Sequence, residues 1–126
     1  MKVHSQTDVG LVRTLNEDAC RTGLLGENGA WAVVCDGMGG ANGGEIASET
    51  AVKSIEEQIL ASYEEDFKSE EMKLMLSTLI FHANSAVYDM AQENESLKGM
   101  GTTIVVAIVL DNVAHIAHAG DSRAYL

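Results

Sequence analysis

The sequence predicts an α+β fold in a single domain, with antiparallel strands set beside two long helices. Three observations carry this. Apolar, β-branched runs at 31–35 and 104–110 each adjoin a short turn and a second strand-like run, the pattern of hairpins. Between them, apolar residues recur at helical spacing over two stretches. The chain has 126 residues, enough for one core and too few for two.

The segment Val3 to Gly10 is expected to be a first strand, moderately polar and so near a sheet edge. Arg13-Thr14-Leu15-Asn16-Glu17-Asp18 follows, then a second strand from Ala19 to Leu24, a turn at Gly26-Glu27-Asn28-Gly29, and a third strand from Trp31 to Cys35. If the turn centres near Glu27, Asp18 faces Asp36 across the hairpin; a slip of one or two residues brings Glu17 or Cys20 into that place instead. Cys20 and Cys35 make neither a disulfide framework nor a zinc site and are expected to be buried strand residues.

Asp36 ends the third strand, and five glycines follow among the eight residues 37–44. A carboxylate where a strand meets a backbone-exposing turn suits a hard cation, with oxygen donors from Asp36 and the Gly37 carbonyl. It equally suits an ordinary turn. Opposed acidic side chains have Cβ atoms only about 4.5–5.5 Å apart and repel. Arg13 alone leaves Glu17, Asp18 and Asp36 undercompensated. A pair of divalent ions about 3.5–4 Å apart would use the cluster to activate water; a solvated acidic hairpin end is the alternative.

From Gly44 or Glu45 to about Ser62 the apolar positions Ala47, Ala51, Ile55 and Ile59, flanked by Val52 and Leu60, mark one helix face, with Glu45 and Glu49 near its positive end. A polar connection spans Tyr63 to Lys68, and Ser69 is the expected cap of a second helix. Its stripe is Met72, Leu76, Leu79, Ile80, Ala83, Val87 and Met90, and Gln92 to Gly99 end it. The methionines are core filler, and His82 lies at the surface or boundary.

Met100-Gly101-Thr102-Thr103 opens a continuous apolar strand, Ile104 to Leu110, whose lack of alternation predicts burial on both faces. Asp111-Asn112 is a two-residue hairpin turn, and Val113 to Ala119 returns antiparallel. His115 and His118 then point to opposite faces and cannot share a metal. Gly120-Asp121-Ser122-Arg123 places another carboxylate at a strand end, and Arg123 to Leu126 is expected to begin a further strand, as if the chain were cut from a longer one.

The net charge is −11, from 19 acidic against 8 basic residues. Without a basic patch, a nucleic-acid or anionic-membrane partner is excluded. A phosphorylated substrate would need bound cations to reverse the local field. The longest apolar run is far too short to cross a bilayer and no signal-peptide segment opens the chain, so a cytoplasmic location is expected. The glycine-rich turn is not a nucleotide cradle: Gly37-Met38-Gly39-Gly40-Ala41-Asn42 fails the dinucleotide pattern at its last position, and no lysine follows.

The order Arg13-Thr14-Leu15-Asn16-Glu17-Asp18, Asp36-Gly37-Met38-Gly39-Gly40, Gly44-Glu45-Ile46-Ala47, Met100-Gly101-Thr102-Thr103 and Gly120-Asp121-Ser122-Arg123 resembles the N-terminal half of PPM-type, protein phosphatase 2C-like, serine/threonine phosphatases. Met38, where many eukaryotic members carry histidine, resembles the bacterial branch; Ala41 also departs from a frequent histidine, at a position with no ligand role. The resemblance implies an αββα sandwich of two antiparallel sheets flanked by helices, of which this chain is a partial, N-terminal portion. It implies a centre of two Mg2+ or Mn2+ ions, with a third held more weakly. Asp36 would bridge the two metals, the Gly37 carbonyl would complete one coordination sphere, Glu17 and Asp18 would bind directly or through water, and Asp121 would help hold the third. Arg13 would receive the substrate phosphate.

The activity so implied is hydrolysis of phosphoserine and phosphothreonine in proteins by a metal-activated water. The phosphoprotein partners would include a Ser/Thr kinase and its targets. The remaining ligand aspartates of the family lie in motifs this chain lacks, so weak metal binding and impaired activity are expected, with self-association through unpaired sheet edges. Two other readings stand beside this one: a naturally short, catalytically inactive PPM-like binding or regulatory module, and a structural cation site in a non-enzymatic domain.

Overall fold

In the computed structural model, which describes residues 1–64 and 68–126, five strands and two helices form one sheet with one helical layer. Strands β1 (Asp18–Leu25) and β2 (Gly29–Met38) form the first hairpin. Helices α1 (Gly43–Ser62) and α2 (Ser69–Glu93) follow, then a single 3-10 turn at Glu95–Leu97. Strands β3 (Gly101–Thr102), β4 (Ile104–Leu110) and β5 (Val113–Ala119) complete the sheet, all pairings antiparallel, in the order β1-β2-β4-β5 with β3 on the end of β2.

The second hairpin turns where expected. Asp111 and Asn112 both take positive φ, 46° and 65°, the backbone that matches the twist of the flanking strands. His115 stands opposite Ile108 and His118 opposite Val105, so the two imidazoles do lie on opposite faces.

Both helices pack on one face of the sheet. Ala47, Ala51, Val52, Ile55 and Ile59 of α1 and Met72, Leu76, Leu79, Ala83 and Val87 of α2 meet Trp31, Val33, Cys35, Ile104, Val106 and Ile108 in one core. Trp31 lies over Gly23, where a Cβ would come within 2.8 Å of the indole Cε2, so glycine is what lets the ring down onto β1. Its Nε1 is the one buried side-chain polar atom without a partner among the described residues.

Several expectations are corrected. Residues 3–10 form no strand: they are exposed, and Asp8 Oδ1 accepts from the Gly10 N–H at 2.7 Å to close a local turn. Arg123 to Leu126 likewise form no strand and are exposed. Both segments lack a neighbouring strand among the described residues, and a lone strand has nothing to satisfy its backbone. Leu60 and Met90 are exposed rather than core; Met75 and Ala91 take core places on α2. Lys68, not Ser69, caps α2: the Glu71 carboxylate reaches back to accept from the Lys68 N–H at 2.7 Å. The connection expected over 63–68 lies, for 65–67, outside the described residues.

The other face of the sheet is open. It carries Cys20, which is therefore only half-buried rather than core, together with exposed Val34 and Ile116 and half-buried Ala107 and Val109. Burial on both faces of β4 accordingly holds at Ile104–Val106 and lapses beyond. No described helix is long and apolar enough to cross a membrane.

Candidate metal centre

The site is built where β1 begins and β2 ends. The hairpin register puts Asp18 directly opposite Asp36, on the open face of the sheet. Their positions follow from the strands themselves: Ala19 and Cys35 turn inward to the helices, so their neighbours must turn outward. Burial and then the charge of Asp36 push the Asp18 carboxyl above its ordinary range, with a hydrogen bond to Asp36 and the charge of Glu17 adding to the rise. Glu17, Asp18 and Asp36 thus share one field, and no ion pair among the described residues neutralises it.

The glycines after Asp36 bring three segments together. The Gly37 N–H donates to the Glu17 carbonyl at 3.0 Å, and a Cβ on Gly37 would collide with the Gly44 backbone carbonyl. A Cβ on Gly44 would in turn meet Glu17 Oε1 and lie 2.8 Å from its Cδ. The Glu17 carboxylate therefore sits on the first turn of α1, where the helix dipole favours negative charge. Gly39, at φ 148°, and the left-handed Ala41 and Asn42 complete the reversal into α1. The turn is a packing device as well as a donor surface.

A further partnership holds Asp36. Strands β3 and β4 run as one line beside β2, with Gly37 opposite Thr102 and Val34 opposite Val105, which places Thr103 opposite Asp36. The Thr103 N–H donates to the Asp36 carbonyl at 2.9 Å. The Asp36 N–H, however, donates to Thr103 Oγ1 at 3.0 Å, and the Thr103 carbonyl takes the Thr102 hydroxyl at 2.9 Å. A side-chain hydroxyl thus stands in for one rung of the ladder and separates β3 from β4. The Ser122 hydroxyl lies 2.6 Å from that of Thr103.

Arg13 and Asp121 stand apart from the carboxylates. Arg13 is exposed in the irregular segment before β1, and Asp121 is exposed in the bend after β5. Among the described residues no hydrogen bond or ion pair joins either side chain to Asp18 or Asp36. Motif order flagged Thr103 and Ser122 but gave them no task; the one signal for Thr103 was a hydroxyl at the mouth of an otherwise apolar strand.

The donor set is all oxygen, which suits a hard divalent cation such as Mg2+ or Mn2+. The crowding of Asp18 against Asp36 is what a cation between them would relieve. Among the described residues no three carboxylate, imidazole or thiol groups converge to complete a site. The residues present fit one wall of a metal centre.

The sheet thus carries one helical layer on one face and an acidic, oxygen-lined end where β1 begins and β2 ends. The protein phosphatase 2C family model matches residues 12–126, and the chain belongs to that family. It is 35% identical over 129 residues to the serine/threonine phosphatase stp of Listeria monocytogenes, covering all of this chain and 50% of that protein. It is 31% identical to the serine/threonine protein phosphatase PstP of Mycobacterium tuberculosis, covering 23% of it. The crystal structure of the serine/threonine phosphatase Stp1 from Staphylococcus aureus superposes on 94% of this chain and 46% of its own, with a TM-score of 0.84 and 37% identity. The chain spans half or less of the length of these relatives, and supplies one sheet and one helical layer of their α+β fold.

Proposed function

We propose that this chain carries the N-terminal wall of a metal-dependent centre that hydrolyses phosphoserine and phosphothreonine in proteins. The observation that carries the reading is the Asp18–Asp36 pairing across β1 and β2, with Glu17 acting on the same carboxyl. Asp36, Asp18, Glu17 and the Gly37 carbonyl would hold two Mg2+ or Mn2+ ions, and Asp121 would contribute to a third position. The ions, when bound, would supply Lewis-acid activation of water and charge for the phosphoryl oxygens.

The chain's own residues do the rest. Arg13 offers a planar fork of donors to a tetrahedral dianion, and its exposure leaves it free to do so. The Thr103 contacts fix the backbone that carries Asp36. The Gly37–Gly44 approach fixes Glu17 against α1. With only one wall present, these residues alone are expected to bind metal weakly and to turn over slowly. The open face and the outer edges of β1 and β5 would favour self-association. Phosphoproteins, including a Ser/Thr kinase and its targets in the cytoplasm, are the proposed partners.

Manganese-dependent phosphate release from a phosphothreonine peptide tests the reading. A chain extended through the rest of the domain should release phosphate, and EDTA or Asp36→Asn should each abolish it. Release that survives both controls would overturn it.

A further inference from the structure

We infer that Ser122 is a positioning residue, holding the backbone of Asp36 through the hydroxyl of Thr103. The contacts run in one line: Ser122 Oγ to Thr103 Oγ1 at 2.6 Å, then Thr103 Oγ1 to the Asp36 N–H at 3.0 Å. Thr103 is 4% exposed, so its hydroxyl has no water to fall back on. A threonine hydroxyl can turn to other acceptors because its χ1 divides between rotamers. Here it must stay, since it replaces the backbone carbonyl that a regular ladder would offer Asp36.

The bend after β5 clamps Thr103 from both sides. Gly120, at φ 101°, passes so close that a Cβ there would lie 2.8 Å from the Thr103 methyl carbon. Two residues on, the Ser122 hydroxyl pairs with that of Thr103. Between them sits Asp121, so one bend both presents that carboxylate and steadies Asp36. The coupling makes the orientation of Asp36 depend on the bend's being in place.

The backbone part of this inference is independent of any metal; its consequence for metal binding rests on the function proposed above. Amide hydrogen exchange by NMR on the full 126-residue chain in EDTA tests the backbone part. Ser122→Ala should speed exchange of the Asp36 amide about fivefold, the worth of one modest hydrogen bond, while the Val33 amide in mid-strand keeps its rate. Ser122→Thr should restore protection, and in a Thr103→Val background Ser122→Ala should change nothing further. An Asp36 amide that keeps its wild-type rate in Ser122→Ala would overturn the inference, as would equal acceleration at Val33.

Titration of Mn2+ followed by electron paramagnetic resonance is the second arm. Ser122→Ala should weaken binding several-fold without changing its stoichiometry. Wild-type chain that binds no Mn2+, or Asp36→Asn that binds it unimpaired, would remove the metal reading and leave the exchange result to decide the role of Ser122.

Discussion

Asp18 and Asp36 are register partners across the β1–β2 hairpin, and the charge of Asp36 helps hold the Asp18 carboxyl above its ordinary range. In the metal-free chain this is an electrostatic cost. A carboxyl whose folded-state pKa is raised favours the folded state below its unfolded value of 3.8, and that contribution is lost as pH rises through the folded value. Asp18→Asn should therefore raise the thermal midpoint of the chain in EDTA at pH 7, and the gain should shrink to nothing as pH falls below 3.8. Thermal unfolding across pH 3–7 checks this. On the function proposed above, Mn2+ should stabilise the parent chain and not this variant.

The glycine-rich turn should tolerate substitution unevenly. Gly40 has open space around a Cβ, whereas at Gly37 a Cβ would strike the Gly44 backbone. Gly40→Ala should change stability by less than about 0.5 kcal/mol and Gly37→Ala should cost about 3 kcal/mol or more. Urea unfolding of the two variants separates them.

Cys35 is fully buried and burial pushes its thiol up to about 12, with a hydrogen bond to Thr102 acting the other way. Its thiolate is absent at ordinary pH. Native chain treated with a disulfide reagent at pH 8 should show one reactive thiol, Cys20, and a second only after denaturation. Rapid labelling of Cys35 in the native chain would contradict the packing of β2.

Ile55 and Leu74 test which helix faces meet the sheet. Ile55 is fully buried, so Ile55→Ala should cost about 2–5 kcal/mol. Leu74 is 70% exposed, so Leu74→Ala should stay within about 0.5 kcal/mol. Denaturant midpoints read both.

Much of this was legible in the sequence because the deciding interactions are local. The hairpin turn set the register that opposes Asp18 to Asp36, and Asp111-Asn112 set the second hairpin. What depends on neighbours was not legible. Helical periodicity set Leu60 beside one core stripe and Met90 on the other, yet Leu60 is 67% exposed, and Met90 sits at the rim, 37% exposed and touched by the Thr50 hydroxyl. Residues 3–10 and 123–126 have strand composition without a strand beside them among the described residues. The task of Thr103 depends on a long-range contact with Ser122 that spacing does not reveal.

The central claim is that the Asp18–Asp36 pair is one wall of a divalent-metal centre. Calorimetric titration of Mn2+ into the 126-residue chain, its Asp18→Asn variant and its Asp36→Asn variant tests it most directly. Saturable binding by the parent chain that is lost in both variants is the predicted result. No binding by the parent, or undiminished binding by Asp36→Asn, would contradict it.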